Sequence, residues 1–208
     1  MVSLSEKQKK QIGKKNYEQI GKKQSLLATH EDAKKLLELF HRLIQYSEST
    51  TVSFSLNLID SKEINAFTTI GGYVYLTTGL LDFVDSYDEL AFILAHEIAH
   101  QDKRHVERKI MKVVVTSNFL ALTRMEGFMK AATNIRTTLS APFDQIDEYE
   151  ADKHGFFIAK KAGYDVNKFA DFFKKLERSE QRNLLKKLSS THPFAQDRKK
   201  CIENYLQN

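Results

Sequence analysis

The feature that most constrains the fold of this chain is a segment that reads as an apolar helix yet carries three polar side chains. Apolar residues fill most of 90–100, and His96, Glu97 and His100 are the exceptions that matter. A helix that is apolar nearly all round is predicted to lie inside the protein. Buried imidazole and carboxylate groups are unfavourable without partners, so the fold must bring other polar groups or an ion to them.

The spacing of these three residues predicts a metal site. His96 and His100 are four residues apart, so on a helix both imidazoles project from nearly the same face and can reach one ion. Glu97 lies close enough to act on a water molecule bound to that ion. Two histidine ligands, an open coordination position and a general base are the arrangement of a zinc metalloprotease. The pattern H-E-x-x-H therefore predicts peptide hydrolysis with Glu97 as the catalytic base.

The remaining patterns predict a mainly helical α+β fold with one small sheet. Ser86 followed three residues later by Glu89 is a capping box that begins the motif helix, which is expected to run to about Arg104. Alternating residues predict a strand with one buried face over 51–59, and paired glycines connect two further strands, 64–69 and 73–77. Helices are predicted over 5–27, 31–46, 106–132, 145–161, 166–178, 181–188 and 195–206, with a loop over 134–143. With no internal repeat or boundary, 1–208 is predicted to be a single domain.

Composition narrows the class of protein. The chain has 208 residues, of which 41% are hydrophobic and 28% charged, values that are ordinary for a soluble globular protein. The single cysteine, Cys201, excludes an internal disulfide framework and a zinc site made of several cysteines. No segment approaches the ~18 apolar residues of a membrane span, and the first residues are too polar for a signal peptide.

The net charge of +5 raises the question of an acidic partner. Lysines crowd the amino terminus, which fits attraction to anionic lipid or nucleic acid or, alternatively, the solvated face of an amphipathic helix. Acidic residues are interspersed, and the chain has no nucleic-acid motif. We therefore favour the solvated face, expect no nucleic-acid partner, and note that the basic face is compatible with peripheral membrane association.

A catalytic zinc site usually has three protein ligands, so one more is expected downstream. Spacing alone leaves the choice open among the following residues: His105, Glu148, Glu150, Asp152, His154 and His192. Glu148 and Asp152 share a helix face, so one can bind the metal while the other supports a ligand histidine through a hydrogen bond. His105 and His154 complete no motif and are predicted to be surface or supporting histidines.

Four stretches, taken together, resemble a known family of enzymes. The chain is similar to the HtpX and CAAX-prenyl-protease family of zinc metalloendopeptidases, which belong to the gluzincins. The stretches that carry the resemblance are 65–67 with 71–81, 88–100, 148–152, and 191–193 with Arg198. They follow the family's order. The resemblance implies a zincin-like metalloprotease domain with a small sheet or hairpin beside the active-site helix, and a protein or peptide as the substrate.

The resemblance also implies a role for each matching residue. Glu148 would be the third ligand of one Zn²⁺ per chain, and Asp152 would support a ligand histidine. His192 would be a catalytic residue that approaches the metal or the reacting carbonyl, and Arg198 would anchor the site. The segment Asn65–Ala66–Phe67 would bind an extended substrate beside the cleft.

Two departures from the family pattern leave the substrate preference open. Ile70 stands where proline usually precedes the paired glycines, and Asp144–Gln145 replaces a common serine–arginine pair. The resemblance to compact members of the cell-envelope branch implies a periplasmic or envelope location, with the cytoplasm as the alternative. A second functional hypothesis is a latent zinc protein that binds clients or partners with little turnover, because the 134–143 loop and the His192 segment could cover the metal.

Overall fold

The structure is a computed structural model that describes residues 4–21, 27–117, 132–134, 139, 141–179, 182–193 and 196–207. In this part of the chain the helices are α1 Glu6–Ile20, α2 Ala33–Ile44, α3 Thr78–Phe83, α4 Tyr87–Asp102, α5 His105–Ser117, α6 Gln145–Lys161, α7 Asn167–Arg178, α8 Arg182–Thr191 and α9 Gln196–Gln207. A 3₁₀ turn covers Leu27–Thr29. The strands are β1 Ser55–Ile59, β2 Ala66–Thr69 and β3 Tyr73–Thr77. The predicted α+β class with a small sheet is confirmed.

The sheet has the order β1-β3-β2, with β1 parallel and β2 antiparallel to the central strand β3. The β2–β3 connection passes through Gly71 and Gly72, both of which have positive φ angles, 92° and 86°. Side chains other than glycine rarely adopt this backbone conformation, which explains why the paired glycines mark the hairpin. The tight connection sets β2 and β3 in register immediately before the short helix α3.

Helix α4 is the centre of the fold. Every residue from Glu89 to Gln101 is buried, because the sheet, α2, α6 and α7 pack around this helix. Its closest neighbour is α6, where a β-carbon at Gly155 would lie only 2.8 Å from the backbone nitrogen of His96. The absence of a side chain at Gly155 therefore lets the two helices that carry the motif residues approach backbone to backbone. A smaller apolar cluster joins α1 to α5.

Several predicted boundaries differ from the structure for physical reasons. The strand predicted over 51–59 begins only at Ser55, and the prediction of one buried face is wrong, because Leu56, Asn57 and Leu58 are all buried. Burial of the polar Asn57 side chain is tolerated because its amide donates a hydrogen bond to the carbonyl of Val74, 3.2 Å away. All of 118–131, predicted helical, and part of the predicted 134–143 loop lie outside the described residues.

The motif helix begins as predicted but ends early. Ser86 accepts a hydrogen bond from the backbone N–H of Glu89 at 3.2 Å, so it is the N-cap. The predicted capping box is only half formed, since the Glu89 carboxylate accepts from the N–H of Asp85 instead of Ser86. The helix ends at Asp102, and Arg104 adopts a left-handed φ of 57° before α5 begins. None of the described helices combines the length and apolar character needed to cross a membrane.

Candidate metal centre

Helix α4 places its two histidines in contact with each other at the predicted spacing. Nε2 of His96 and Nε2 of His100 lie 3.0 Å apart, and both side chains are buried. Two unprotonated ring nitrogens this close repel each other unless a proton or a cation lies between them. The four-residue spacing has therefore produced two converging nitrogen atoms, as a shared metal ion requires.

Helix α6 brings a carboxylate to these nitrogens. Glu148 is fully buried, with its carboxylate oxygens 3.7 Å from Nε2 of His96 and 3.5 Å from Nε2 of His100. Asp152, one turn later on the same face, lies behind His96, with Oδ1 2.9 Å from Nδ1 of that ring. The structure thus separates the two carboxylates that spacing alone left equivalent. Glu148 faces the converging nitrogens, whereas Asp152 contacts the far side of a histidine.

A third histidine completes a cluster of four potential ligands. His192 follows α8 and is buried, with Nδ1 3.3 Å from Nε2 of His96 and 3.1 Å from a carboxylate oxygen of Glu148. One ligand atom from each of His96, His100, Glu148 and His192 lies within 4.8 Å of the others. The position of His192 against the ligand cluster favours the first of its two expected roles, the approach to the metal.

The dimensions of this cluster fit a four-coordinate metal ion. Tetrahedral zinc with bonds of about 2.0–2.1 Å holds neighbouring ligand atoms about 3.3 Å apart. Five of the six residue pairs in the cluster have contacts of 3.0–3.7 Å, and one ligand atom from each of the four residues lies within 4.8 Å of the others. Burial lowers the pKa of His100 well below its usual value, so this ring is neutral and able to donate a lone pair. The pKa of Glu148 is also held well below its usual range, because His192 and Arg198 outweigh the effect of burial.

A buried arginine neutralises the acidic side of the cluster. Arg198 donates from Nε and Nη2 to the two oxygens of Asp152 at 2.6 and 2.8 Å, and its Nη1 lies 2.6 Å from Glu148. Burial opposes ionisation of Asp152, yet this arginine holds the pKa of the carboxyl below its usual range. The same two carboxylates raise the pKa of Arg198 against the effect of its own burial. The structure therefore places Arg198 where it fixes both carboxylates at once.

Glu97 lies beside the four-ligand cluster and not within it. Its Oε1 is 3.5 Å from Nε2 of His192, and its Oε2 has no hydrogen-bond partner among the described residues although it is buried. Burial raises the pKa of this carboxyl, and the neighbouring histidines only partly oppose the shift. A carboxylate with one free oxygen and an elevated pKa is suited to accepting and returning a proton.

Glu97 also lines a cavity of about 160 Å³. The polar residues at its wall are His96, Glu97, His192 and Arg198, and the rest of the wall is apolar. The apolar lining consists of Leu80, Phe92, Ile93, Phe172, Phe173, Leu176, Leu185 and Leu188. A cavity lined by reactive groups and by apolar side chains can hold an apolar side chain of a peptide next to the bond that reacts.

Two further residues contact the cluster: Phe143, from the 134–143 loop that was expected to be able to cover the metal, and His105, which was a candidate ligand or supporting histidine. Phe143 stacks on the ring of His100 with centroids 3.8 Å apart, and its backbone N–H donates to the carbonyl of Thr191, next to His192. His105 is fully buried, with Nδ1 2.9 Å from Nδ1 of His100. The sequence indicated the 134–143 loop as a whole without distinguishing Phe143 in it, whereas the position of His105 shortly after the motif was a usable signal for that residue.

The other predicted candidates lie away from the ligand cluster. Nε2 of His154 contacts the carboxylate of Asp102 at 2.9 Å, near the end of α4. The segment predicted to bind substrate lies at the start of β2: Asn65 and Ala66 are buried, and Phe67 stacks on Tyr75 with centroids 4.8 Å apart. The described lining of the cavity beside Glu97 includes none of these three segment residues. Their binding of substrate stays a prediction.

Comparison with known proteins identifies a family of peptidases. The model of peptidase family M48 matches residues 30–206. A putative beta-barrel assembly-enhancing protease of Vibrio cholerae is 33% identical over 178 residues, covering 77% of this chain and 36% of the relative. The beta-barrel assembly-enhancing protease of Escherichia coli is 29% identical over 174 residues, covering 76% and 35%.

A relative from a different compartment matches as well. The mitochondrial metalloendopeptidase OMA1 of Schizosaccharomyces pombe is 31% identical over 169 residues, covering 79% of this chain and 50% of the relative. The chain therefore spans no more than half the length of these relatives. The family match extends over both helices that carry the ligand cluster and confirms the resemblance found in the motifs. The chain belongs to peptidase family M48.

Proposed function

We propose that this chain is a zinc-dependent endopeptidase that hydrolyses peptide bonds in protein substrates. The observation that carries the proposal is the convergence of His96, His100 and Glu148 in one buried cluster with a free carboxylate oxygen of Glu97 beside it. Two nitrogen ligands, one carboxylate ligand and an adjacent base match the donor set of zinc peptidases. One Zn²⁺ per chain is expected.

A bound zinc ion would supply a Lewis acid that acidifies water and polarises the peptide carbonyl. The chain's own residues perform the remaining steps. Glu97 accepts a proton at its unpartnered oxygen and later returns it to the nitrogen of the leaving amine. Asp152 lies 2.9 Å from Nδ1 of His96, where it orients that ring by its charge, and Arg198 keeps Asp152 and Glu148 ionised. The apolar walls of the cavity exclude water and receive a side chain next to the scissile bond.

Two relatives are named as beta-barrel assembly-enhancing proteases, which supports protein substrates. A role in the quality control of envelope proteins remains a prediction. Because another relative is named as mitochondrial, the periplasmic location implied by the motifs remains a prediction. Peripheral attachment to a membrane likewise remains a prediction.

One specific observation favours the second hypothesis, that the chain is a latent zinc protein with little turnover. Nδ1 of His192 occupies a position among the ligand atoms, 3.3 Å from His96 and 3.1 Å from Glu148. In this arrangement His192 would take the coordination position that a water molecule needs. The contact between the backbone of Phe143 and Thr191 would help to hold the histidine there. In this conformation the centre would be closed to substrate.

The experiment that tests the proposal compares Glu97→Gln with wild type in zinc content and in hydrolysis of a denatured protein. We expect one zinc per chain in both proteins and a loss of about 10²–10⁴-fold in rate for the variant, the usual contribution of a general base. Glu89→Gln, a matched change at another buried glutamate of α4, serves as the control and should retain the wild-type rate. Hydrolysis by Glu97→Gln at the wild-type rate would contradict the assignment of the base.

The same assay with His192→Ala separates the two readings. If His192 closes the centre, removal of its ring opens a coordination position, and the rate of hydrolysis rises. If His192 instead stabilises the reacting carbonyl, the rate falls while zinc is retained. An inactive wild type together with an active His192→Ala protein would establish the latent reading.

A further inference from the structure

Both histidines of the motif are contacted at Nδ1, the ring nitrogen that does not face the ligand cluster, but by different partners. Nδ1 of His96 faces the carboxylate of Asp152, 2.9 Å away, an arrangement expected from the resemblance. Nδ1 of His100 faces another ring instead, with Nδ1 of His105 at 2.9 Å. Both His100 and His105 are fully buried, so water does not compete for this contact.

The contact continues beyond His105 to an acidic group. Nε2 of His105 lies 2.9 Å from a carboxylate oxygen of Glu150, on α6. Arg108 steadies this end, since its guanidinium lies 2.6 Å from Asp147 and 3.7 Å from Glu150. A continuous chain of polar contacts therefore runs from Glu150 through His105 to His100.

If Nε2 of His100 is free to bind a metal and both rings are neutral, one arrangement of protons satisfies the contacts from His100 through His105 to Glu150. Nε2 of His100 points at the ligand cluster, 3.0 Å from His96 and 3.5 Å from Glu148, so it must present a lone pair to bind a metal. The proton of the neutral ring is then on Nδ1, which donates to Nδ1 of His105. A neutral His105 that accepts at Nδ1 carries its own proton on Nε2 and donates it to Glu150.

We propose that His105 is a positioning residue for the metal centre, which fixes the tautomer and ring orientation of His100 and is itself oriented by Glu150. The inference rests on the proposed zinc-dependent function and assigns a role that motif spacing left open. A hydrogen bond from the far nitrogen of a ligand histidine commonly fixes the ring and increases its basicity. Here a second histidine connects the ligand to a carboxylate that stands too far away to reach it directly.

The backbone explains how a residue five positions after His100 returns to it. On an uninterrupted helix a separation of five residues turns the side chain by about 140° relative to the first. The left-handed Arg104, at φ 57°, ends α4 and redirects the chain into α5. His105 therefore begins a new helix with its ring turned toward His100, at 74° to that ring and with centroids 5.0 Å apart.

The test measures zinc affinity of the full chain by competition with a chromogenic chelator. His105→Phe retains a ring of similar size without the acceptor, and we expect it to bind zinc about 10–100-fold more weakly, the usual effect of removing such a partner. His105→Asn restores an acceptor near the position of Nδ1 and should recover most of the affinity. Glu150→Gln keeps an oxygen acceptor without the charge and should show an intermediate loss.

A matched control distinguishes positioning from general loss of structure. His154→Phe makes the same change at another histidine that contacts a carboxylate, Asp102, but no member of the ligand cluster. It should keep the wild-type zinc affinity. The melting temperature of each protein in chelator reports on folding without metal, and His105→Phe should match His154→Phe in that measurement.

Two outcomes would overturn the inference. One is wild-type zinc affinity in His105→Phe, and the other is equal weakening in His105→Phe and His105→Asn. If His105→Phe does not fold, affinity in His105→Asn and Glu150→Gln decides, because an unchanged Glu150→Gln would remove the role of the carboxylate. Hydrolysis is measured separately. A wild type that binds zinc in this pattern but cleaves nothing would refute the proposed peptidase and leave the positioning role intact.

Discussion

The ion pairs of Arg198 at the metal centre allow a quantitative prediction about the protein's free energy of unfolding. Its guanidinium lies within 2.6–2.8 Å of oxygens of both Asp152 and Glu148, and all three side chains are buried. Arg198→Met removes the charge while keeping an apolar stem of similar length. In the metal-free protein this leaves two buried carboxylates without their common cation.

Two independent arguments give the same magnitude. Breaking a buried ion pair by removing one partner costs about 3–5 kcal/mol. Alternatively, one carboxyl takes up a proton, and neutralising an acid with an ordinary pKa near 3.9 at pH 7 costs about 4 kcal/mol. We therefore expect Arg198→Met to lose about 3–5 kcal/mol of unfolding free energy in the presence of chelator.

Zinc should reduce this loss, because the bound cation faces Glu148 and replaces part of the missing positive charge. By linkage, a smaller loss with zinc than without it means that the folded variant gains more stability from zinc than wild type does. The assay is urea unfolding at pH 7, followed by far-ultraviolet circular dichroism, with chelator and with saturating zinc. Lys199→Met is the control on the same helix, and its surface ion pair with Glu177 should contribute only about 0–1 kcal/mol.

A metal-free loss below about 1 kcal/mol for Arg198→Met would refute the reasoning, because it would place the variant in the range of surface ion pairs. A full loss that zinc leaves unchanged would also refute it. That result would mean that packing around the arginine stem, and not charge, dominates the effect.

Two further predictions concern the frame around the ligands. Gly155→Ala should destabilise the protein by about 1–3 kcal/mol through overpacking and weaken zinc binding, because its β-carbon would lie 2.8 Å from the backbone nitrogen of His96. Calorimetry and zinc titration would check this, with Lys153→Ala on the exposed face of the same helix as the control. Asp102→Asn should lose about 1.5–3 kcal/mol in chemical unfolding, since this carboxylate accepts from Ser47, from backbone N–H groups and from His154. An unfolding midpoint unchanged from wild type would count against either prediction.

The parts of this structure that could be predicted from sequence depend on local spacing. Helix α6 spans Gln145–Lys161 as expected, because an acidic first turn and a glycine after its last turn mark both ends. The four-residue separation of His96 and His100 likewise required only helical geometry. The order of ligand and support between Glu148 and Asp152 came from the resemblance, since both residues share one helix face.

The contacts that sequence reasoning did not find join segments far apart in the chain or depend on a single backbone angle. Phe143 reaches His100 only because its loop runs beside the segment before His192, as the hydrogen bond from its N–H to Thr191 records. His105 contacts His100 because the left-handed Arg104 interrupts the helix, which was expected to run to about Arg104 itself. Neither event leaves a periodic pattern that a sequence could reveal.

The two carboxylates behind the ligand histidines differ in burial, and this difference accounts for their different partners. Asp152 is fully buried, so its charge needs the equally buried Arg198 at hydrogen-bond distance. Glu150 is about half exposed, with 46% of its side chain accessible, so water screens it and a partly exposed Arg108 at 3.7 Å is sufficient. The buried Asp152 can contact His96 directly, whereas the partly exposed Glu150 is connected to His100 only through His105. Of these two residues, Arg198 should therefore contribute more to the free energy of unfolding, and His105 should contribute more to the zinc affinity.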